Sequence, residues 1–160
     1  MQRPSIFQRI LVTAALAAVA ALLVGGLSLA RASDSSSPSV RKLVLQEKTT
    51  NARFVDVNGH PGGGPGDEFI IHTTLSNSSG QVGTLDIVCV YVFGQKLRCN
   101  ATNTLPGGTI VVSALVPVTD KLITIHASID GGTGRYDEAS GQVTSVQHSA
   151  TTATDTFDID

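Results

Sequence analysis

Apolar and polar residues alternate through most of the chain after residue 40, a period of two that is typical of β-strands with one buried face. Segments rich in glycine or proline separate the alternating runs, as they do at turns between short strands. Helical spacing occurs only in the first thirty residues. The runs that we predict as strands cover residues 41–49, 53–57, 67–76, 82–93, 97–105, 109–116, 121–129, 139–149 and 154–159. We therefore predict an all-β domain of about eight strands, folded as an antiparallel barrel or a sandwich.

The first 32 residues have the features of a secretory signal peptide. Two arginines precede an apolar stretch over residues 10–29, and an Ala-Arg-Ala cleavage pattern ends at Ala32. We predict cleavage after Ala32, a flexible polar linker over residues 33–40 and a secreted barrel domain over residues 41–160. The alternative is a membrane anchor over residues 10–29, because about 20 apolar residues can span a bilayer.

Composition and charge narrow the classes of partner. The chain has 160 residues and a net charge of −2, with 15% charged residues, 4% aromatic residues and no tryptophan. Cleavage of the signal peptide removes three arginines and no acid, so the mature domain is more acidic still. An acidic domain is repelled by phosphate backbones and anionic lipid headgroups. We therefore predict no nucleic-acid partner and no membrane contact after cleavage.

The two cysteines have the spacing of a cross-strand pair. Cys89 and Cys99 lie in alternating runs on either side of Gly94, and a hairpin folded at that glycine places them opposite each other. Cross-strand neighbours have Cβ atoms about 4.5–5.5 Å apart, which is compatible with a disulfide after slight adjustment. Two free buried thiols are the alternative, but an exported chain favours the disulfide. The four histidines show no metal-ligand spacing, and we predict no metal site.

Glu47 is the strongest candidate for a functional side chain. It continues the strand face that carries Leu43 and Leu45, which would point into a barrel. A carboxylate on an apolar inner face costs free energy unless it is paired, hydrated or protonated, and such placements cluster at functional sites. The alternative is an acid at the end of a strand that reaches solvent at the barrel mouth. Asp67 and Glu68 open a later strand, where we expect solvated acids that cap a loop at the rim.

An ordered set of short motifs over residues 42–159 resembles the allene oxide cyclase and dirigent superfamily. The motifs are Asp56 followed by a glycine-rich loop at residues 59–66, GDEF at residues 66–69, Val82-Gly83, the two cysteines, LPGGTI at residues 105–110, and GGTGRY at residues 131–136 with Ala139 and Gly141. The resemblance implies an eight-stranded antiparallel barrel with an apolar lumen. In this superfamily the plant members form trimers, so a homotrimer is a possible assembly.

The resemblance also implies a class of chemistry. Allene oxide cyclases steer the ring closure of a fatty-acid epoxide, and dirigent proteins bias the face on which phenoxy radicals couple; neither uses a metal or redox cofactor. Glu47 falls on the first strand, where the cyclases place an acid that stabilises developing positive charge. However, Ser140 replaces a family arginine, and the plant cyclase Y-E-x-N strand is not present, so we do not predict synthesis of a jasmonate precursor.

Two functions stay open at this stage. The first is a secreted barrel that binds an apolar small molecule in its lumen and steers a stereoselective cyclisation or coupling without a cofactor, with Glu47 as the catalytic residue. The second is a non-catalytic exported binding or structural barrel with a packed core. The residues that we predict to contact the ligand are Leu43, Leu45, Phe69, Ile71 and Tyr91, and those that we predict to form a structural turn are Gly131, Gly132 and Gly134.

Overall fold

The computed structural model describes residues 41–160, and the predicted signal peptide and linker lie outside the described residues. Each strand pairs antiparallel with the next, and the last strand pairs with the first to close a barrel. Within residues 41–160, no helix is long and apolar enough to cross a membrane. The strands are β1 (Arg41–Val55), β2 (Glu68–Asn77), β3 (Gly80–Val92), β4 (Lys96–Leu105), β5 (Gly108–Pro117), β6 (Thr124–Gly132), β7 (Gly141–Gln147) and β8 (Thr152–Ile159). The prediction of an eight-stranded antiparallel barrel is confirmed, and the sandwich alternative was wrong.

The first strand is longer than its sequence pattern indicates. We predicted two runs, over residues 41–49 and 53–57, whereas β1 is one strand of 15 residues. Its pairing with β2 shifts register between Thr49 and Asn51. An extra residue at such a β-bulge interrupts the alternation of inward and outward side chains while the strand continues. The break in the pattern therefore marks the bulge and does not mark a turn.

The two ends of the barrel are filled differently. The turns β2–β3, β4–β5 and β6–β7 lie at one end, which we call the closed end, and the other four loops lie at the open end. Nearly all large buried side chains come from the strand halves next to the closed end: Leu45, Leu75, Leu85, Leu105, Ile110, Ile129, Val143, Phe157 and Ile159. Tyr136 also belongs to this core, and the guanidinium of Arg41 lies 4.9 Å from the centre of its ring. Packing at the closed end leaves the rest of the lumen free for a cavity.

A glycine-dependent bend carries Tyr136 to the closed end. We predicted the bend from residue 130, but β6 continues through Gly132 and is followed by a 3₁₀ turn at Gly134–Tyr136. A Cβ atom at Gly132 would overlap the carbonyl oxygens of Thr109 and Tyr136. Gly134 has a φ of +64°, a left-handed conformation that favours glycine. The close approach of backbone to backbone explains why glycine occupies these positions.

Asp67 is not the solvated acid that we expected at the rim, because it is fully buried. Its Oδ1 accepts hydrogen bonds from the backbone N–H groups of Val57 (2.8 Å) and Asn58 (3.1 Å). Its Oδ2 accepts hydrogen bonds from Gly64 N–H (2.8 Å) and from the Asn58 side chain (2.8 Å). Burial opposes ionisation, but these donors outweigh it, and the pKa of Asp67 is lowered. The carboxylate thus ties together the loop between β1 and β2 by accepting from three of its backbone N–H groups.

Candidate active site

The half of the lumen towards the open end contains a cavity of about 260 Å³. It extends from the middle of the barrel to the β7–β8 loop, where residues 149–152 border it. Its apolar wall comes mainly from Ile71, Leu85, Ile87, Leu97, Ala101, Val112, Val116, Ile125, Ala127 and Val143. Polar side chains line both the inner end, where the cavity meets the packed core, and the β7–β8 loop, where Gln147, Ser149, Thr151 and Thr152 border the cavity. A mainly apolar small organic molecule with a polar group suits such a cavity.

Glu47 lies at this inner end and lines the cavity. It is two residues beyond the core residue Leu45 on β1, so the period of two turns both side chains into the lumen. The fully buried Thr73 on the neighbouring strand β2 donates a hydrogen bond to Glu47 Oε1 at 3.4 Å. The carboxyl group is therefore held by a neighbouring strand while it faces the cavity.

Asp155 supplies a second carboxyl group to the same wall. It is 3% exposed and lies on the inward face of β8. The β1–β8 ladder pairs Leu45 with Asp155 and Glu47 with Ala153, so the two acids are diagonal neighbours on one face. Such close like charges in a mainly apolar lumen disfavour ionisation of both groups together.

Glu47 and Asp155 hold their protons more tightly than ordinary carboxyl groups do. Burial, followed by the negative charge of Asp155, raises the pKa of Glu47 to about 7, although the hydrogen bond from Thr73 lowers it. Burial also raises the pKa of Asp155, and the side chain of Ser145, its cross-strand partner, acts in the opposite direction. Near neutral pH the pair can therefore both donate and accept a proton, which is the property that general acid–base catalysis requires.

The predicted ligand contacts fall into three places. Ile71 lines the cavity, as does Glu47. Leu45 is buried in the core beneath the cavity, and Leu43 packs against that core. Phe69 and Tyr91 lie towards the open end.

The two aromatic residues belong to a cluster beside the glycine-rich loop. The ring of Phe69 lies 5.2 Å from that of Phe54 and 5.7 Å from that of Tyr91, measured between ring centres. A Cβ atom at Gly63 would overlap the Tyr91 ring, so the loop packs directly on this cluster. The aromatic side chains are thus engaged with each other and with the loop.

Cys89 and Cys99 face each other across β3 and β4 and form a disulfide. The predicted pairing is confirmed. Both residues also border the cavity, which we did not predict. The disulfide therefore closes the hairpin and also forms part of the cavity wall.

Sequence analysis missed Asp155 and Asn103, which both line the cavity. The signal for Asp155 was present, because residues 153–159 alternate and Asp155 shares its face with Ala153 and Phe157. Asn103 likewise shares a face with the cavity-lining Ala101 on β4. A polar residue inside an otherwise apolar alternating face was the criterion that singled out Glu47, and it applies equally to these two.

The closed eight-stranded barrel is shared with a dirigent protein and a Diels-Alderase of known structure, and the predicted resemblance is confirmed at the level of fold. The chain is similar to the solved structure of a pyocyanin demethylase, with a TM-score of 0.66 and 27% identity over 75% of this chain and 100% of that one. It is also similar to a pterocarpan synthase dirigent protein, with a TM-score of 0.58 and 16% identity over 76% of this chain and 83% of that one.

A third similar structure is the Diels-Alderase AbmU from Streptomyces koyangensis. The TM-score is 0.56 and the identity 20%, over 77% of this chain and 71% of the Diels-Alderase. The sequence matches no protein-family model, and comparison with curated proteins found no match. The fold is thus shared with barrels that steer cyclisation, while the chemistry of this chain has to be argued from its own residues.

Proposed function

We propose that this chain is an exported barrel that binds a mainly apolar small molecule in its lumen and steers a cyclisation or isomerisation of it. The observation that carries the proposal is a carboxyl group, Glu47, with a pKa of about 7 in the wall of a mainly apolar cavity. Similarity of fold to a dirigent protein and a Diels-Alderase supports the same class of reaction.

Each group that lines or contacts the site has its own role in the proposed reaction. Thr73 donates to Glu47 Oε1, which leaves Oε2 as the oxygen that carries and transfers the proton. In its protonated form Glu47 can protonate a developing negative oxygen, and in its ionised form it can stabilise developing positive charge. Asp155 keeps both forms accessible near neutral pH by opposing ionisation of its neighbour. The apolar wall excludes water and restricts the ligand to folded conformations.

The first test identifies the ligand and the mature chain together. The full chain is expressed in a secreting host, and the secreted protein is studied by native mass spectrometry. A chain that begins at Ser33 and carries additional mass from an organic molecule supports both export and lumen binding. The same spectrum reports the number of chains in the assembly, which tests the homotrimer. A chain that retains residues 1–32 contradicts cleavage, and a mature chain without added mass favours the structural barrel.

The second test is turnover of the molecule so identified. Glu47→Gln keeps the size of the side chain and removes the transferable proton, so turnover should be lost while the far-ultraviolet circular dichroism spectrum is unchanged. Glu138→Gln, which changes an exposed glutamate, is the matched control and should keep full activity. Full turnover by Glu47→Gln would contradict the role of Glu47.

Demethylation is a second candidate, because the pyocyanin demethylase is 27% identical and is covered over its whole length. Pyocyanin incubated with the purified protein should lose its methyl group, as read by mass spectrometry of the product, if this chain shares that activity. An unchanged pyocyanin pool would remove this candidate and leave the cyclase proposal standing.

A further inference from the structure

Two buried oxygen atoms at the inner end of the cavity are unpaired. Within residues 41–160, neither Asn103 Oδ1 nor Asp155 Oδ1 has a hydrogen-bond partner. Asn103 is 1% exposed and Asp155 is 3% exposed, so bulk solvent does not reach them. Buried polar atoms are nearly always paired, and an exception inside a cavity points to a partner that enters the cavity.

The orientation of the Asn103 amide is fixed by its surroundings. Its Nδ2 donates to the carbonyl oxygen of Ile110 at 3.4 Å. Because a carbonyl oxygen only accepts, the amide nitrogen must point towards Ile110, and the amide oxygen is the atom left without a partner. Asn103 Oδ1 therefore presents an acceptor at every pH.

Asp155 presents a more versatile oxygen. Its Oδ1 accepts a hydrogen bond when the carboxyl group is ionised and can donate one when the group is protonated. A hydroxyl group can donate a hydrogen bond to Asn103 Oδ1, and a hydroxyl can either donate to Asp155 or accept from it. An ether oxygen can only accept, and it would leave Asn103 Oδ1 unpaired.

We infer that the inner end of the cavity recognises a hydroxyl group on an otherwise apolar ligand, with Asn103 as the residue that determines this specificity. The inference rests on the proposed function, since it requires a ligand in the lumen. Asn103 binds the ligand and takes no part in proton transfer. The hydroxyl group lies at the inner end, and the apolar part lies against the apolar wall formed by the strands.

The size of the cavity sets the choice of probe. An engineered protein cavity of about 150 Å³ binds benzene. The cavity of about 260 Å³ is large enough, by the same ratio, for an aromatic molecule of two rings. Naphthalene, naphthol and the methyl ether of that naphthol share one ring system and differ only in the polar group. Their affinities are measured by calorimetry with the disulfide-intact protein.

The decisive comparison is between the unsubstituted protein and Asn103→Leu. The substitution keeps the shape of the side chain and removes the acceptor, so the preference for naphthol over its methyl ether should fall on the order of tenfold. Affinity for naphthalene should not fall, which shows that the barrel and its cavity are intact. Thr49→Val removes a hydroxyl from the same cavity and is the matched control; it should keep the preference.

Each outcome separates this inference from the proposed function. If naphthalene binds but the preference for naphthol over its methyl ether does not depend on Asn103, the hydroxyl inference is overturned and lumen binding stands. If none of the three binds, both are overturned. Should Asn103→Leu fail to fold, the unsubstituted protein decides: naphthol must bind more tightly than its methyl ether, although the ether is the more apolar molecule.

Discussion

Substitution of Glu47 by glutamine should change how stability depends on pH. The folded chain holds a proton on Glu47 up to a pKa of about 7, whereas a glutamate ordinarily releases it near 4.5. Between these values the folded state binds the proton and the unfolded state does not, so raising the pH through this window removes stability. Glutamine is neutral at every pH and removes this contribution.

The magnitude follows from the two pKa values. A pKa difference of one between the folded and unfolded states corresponds to about 1.4 kcal/mol. From pH 5 to pH 8.5, ionisation of Glu47 should cost the folded state about 2.5 kcal/mol. The stability advantage of Glu47→Gln over the unsubstituted protein should therefore grow by about 2.5 kcal/mol between pH 5 and pH 8.5. The variant that loses activity gains stability, which is the expected cost of keeping a buried acid for function.

Urea unfolding followed by far-ultraviolet circular dichroism measures this difference, since the chain has no tryptophan to serve as a fluorescent probe. The curves are collected at several pH values between 5 and 8.5 without reductant. Glu138→Gln is the control and should follow the unsubstituted protein. Parallel pH dependences for Glu47→Gln and the unsubstituted protein would refute the reasoning, because Glu47 would then have the same pKa in both states.

Three further predictions follow from the other contacts. Asp155→Asn removes the neighbouring negative charge, so the pKa of Glu47, read from carboxyl carbon shifts in nuclear magnetic resonance, should move from about 7 towards its ordinary value; an unchanged pKa would contradict the coupling. Replacement of Cys89 and Cys99 by alanine opens a loop with a sequence separation of 10, which should lower the free energy of unfolding by roughly 2–3 kcal/mol in urea titrations; equal stability with and without the disulfide would count against it. Asp67→Asn places an amide where four donors converge, so amide hydrogen exchange in the glycine-rich loop should accelerate on the order of tenfold; unaltered protection would show that the carboxylate does not hold the loop.

Alternation predicted most of the fold, because side chains on a closed barrel must point either into the lumen or into solvent. The same rule placed Glu47 on the inward face beside Leu45. It failed at the β1 bulge, where one extra residue changes the phase of the pattern without ending the strand. Periodicity within one segment cannot distinguish such a bulge from a turn.

The site was less predictable than the fold, since it depends on pairing between strands that are distant in sequence. Nothing near Glu47 in the sequence shows that Asp155 is its neighbour; the β1–β8 ladder brings them together. Asp67 illustrates the same limit, because its burial follows from backbone donors that converge on it only after the loop has folded. Local patterns indicate which face a residue occupies, and the closed sheet decides which residues meet there.

The pairing of β1 with β8, which closes the barrel, is also what brings the two carboxyl groups together. Glu47 lies on the first strand of the barrel and Asp155 on the last, so the pair cannot form until β8 has paired with β1. Before closure each acid lies on an edge strand of an open sheet, where the other acid is not beside it to oppose its ionisation. A chain that ends before β8 therefore lacks both the last seam of the barrel and half of the acid pair. Barrel closure and formation of the carboxyl pair are therefore a single event.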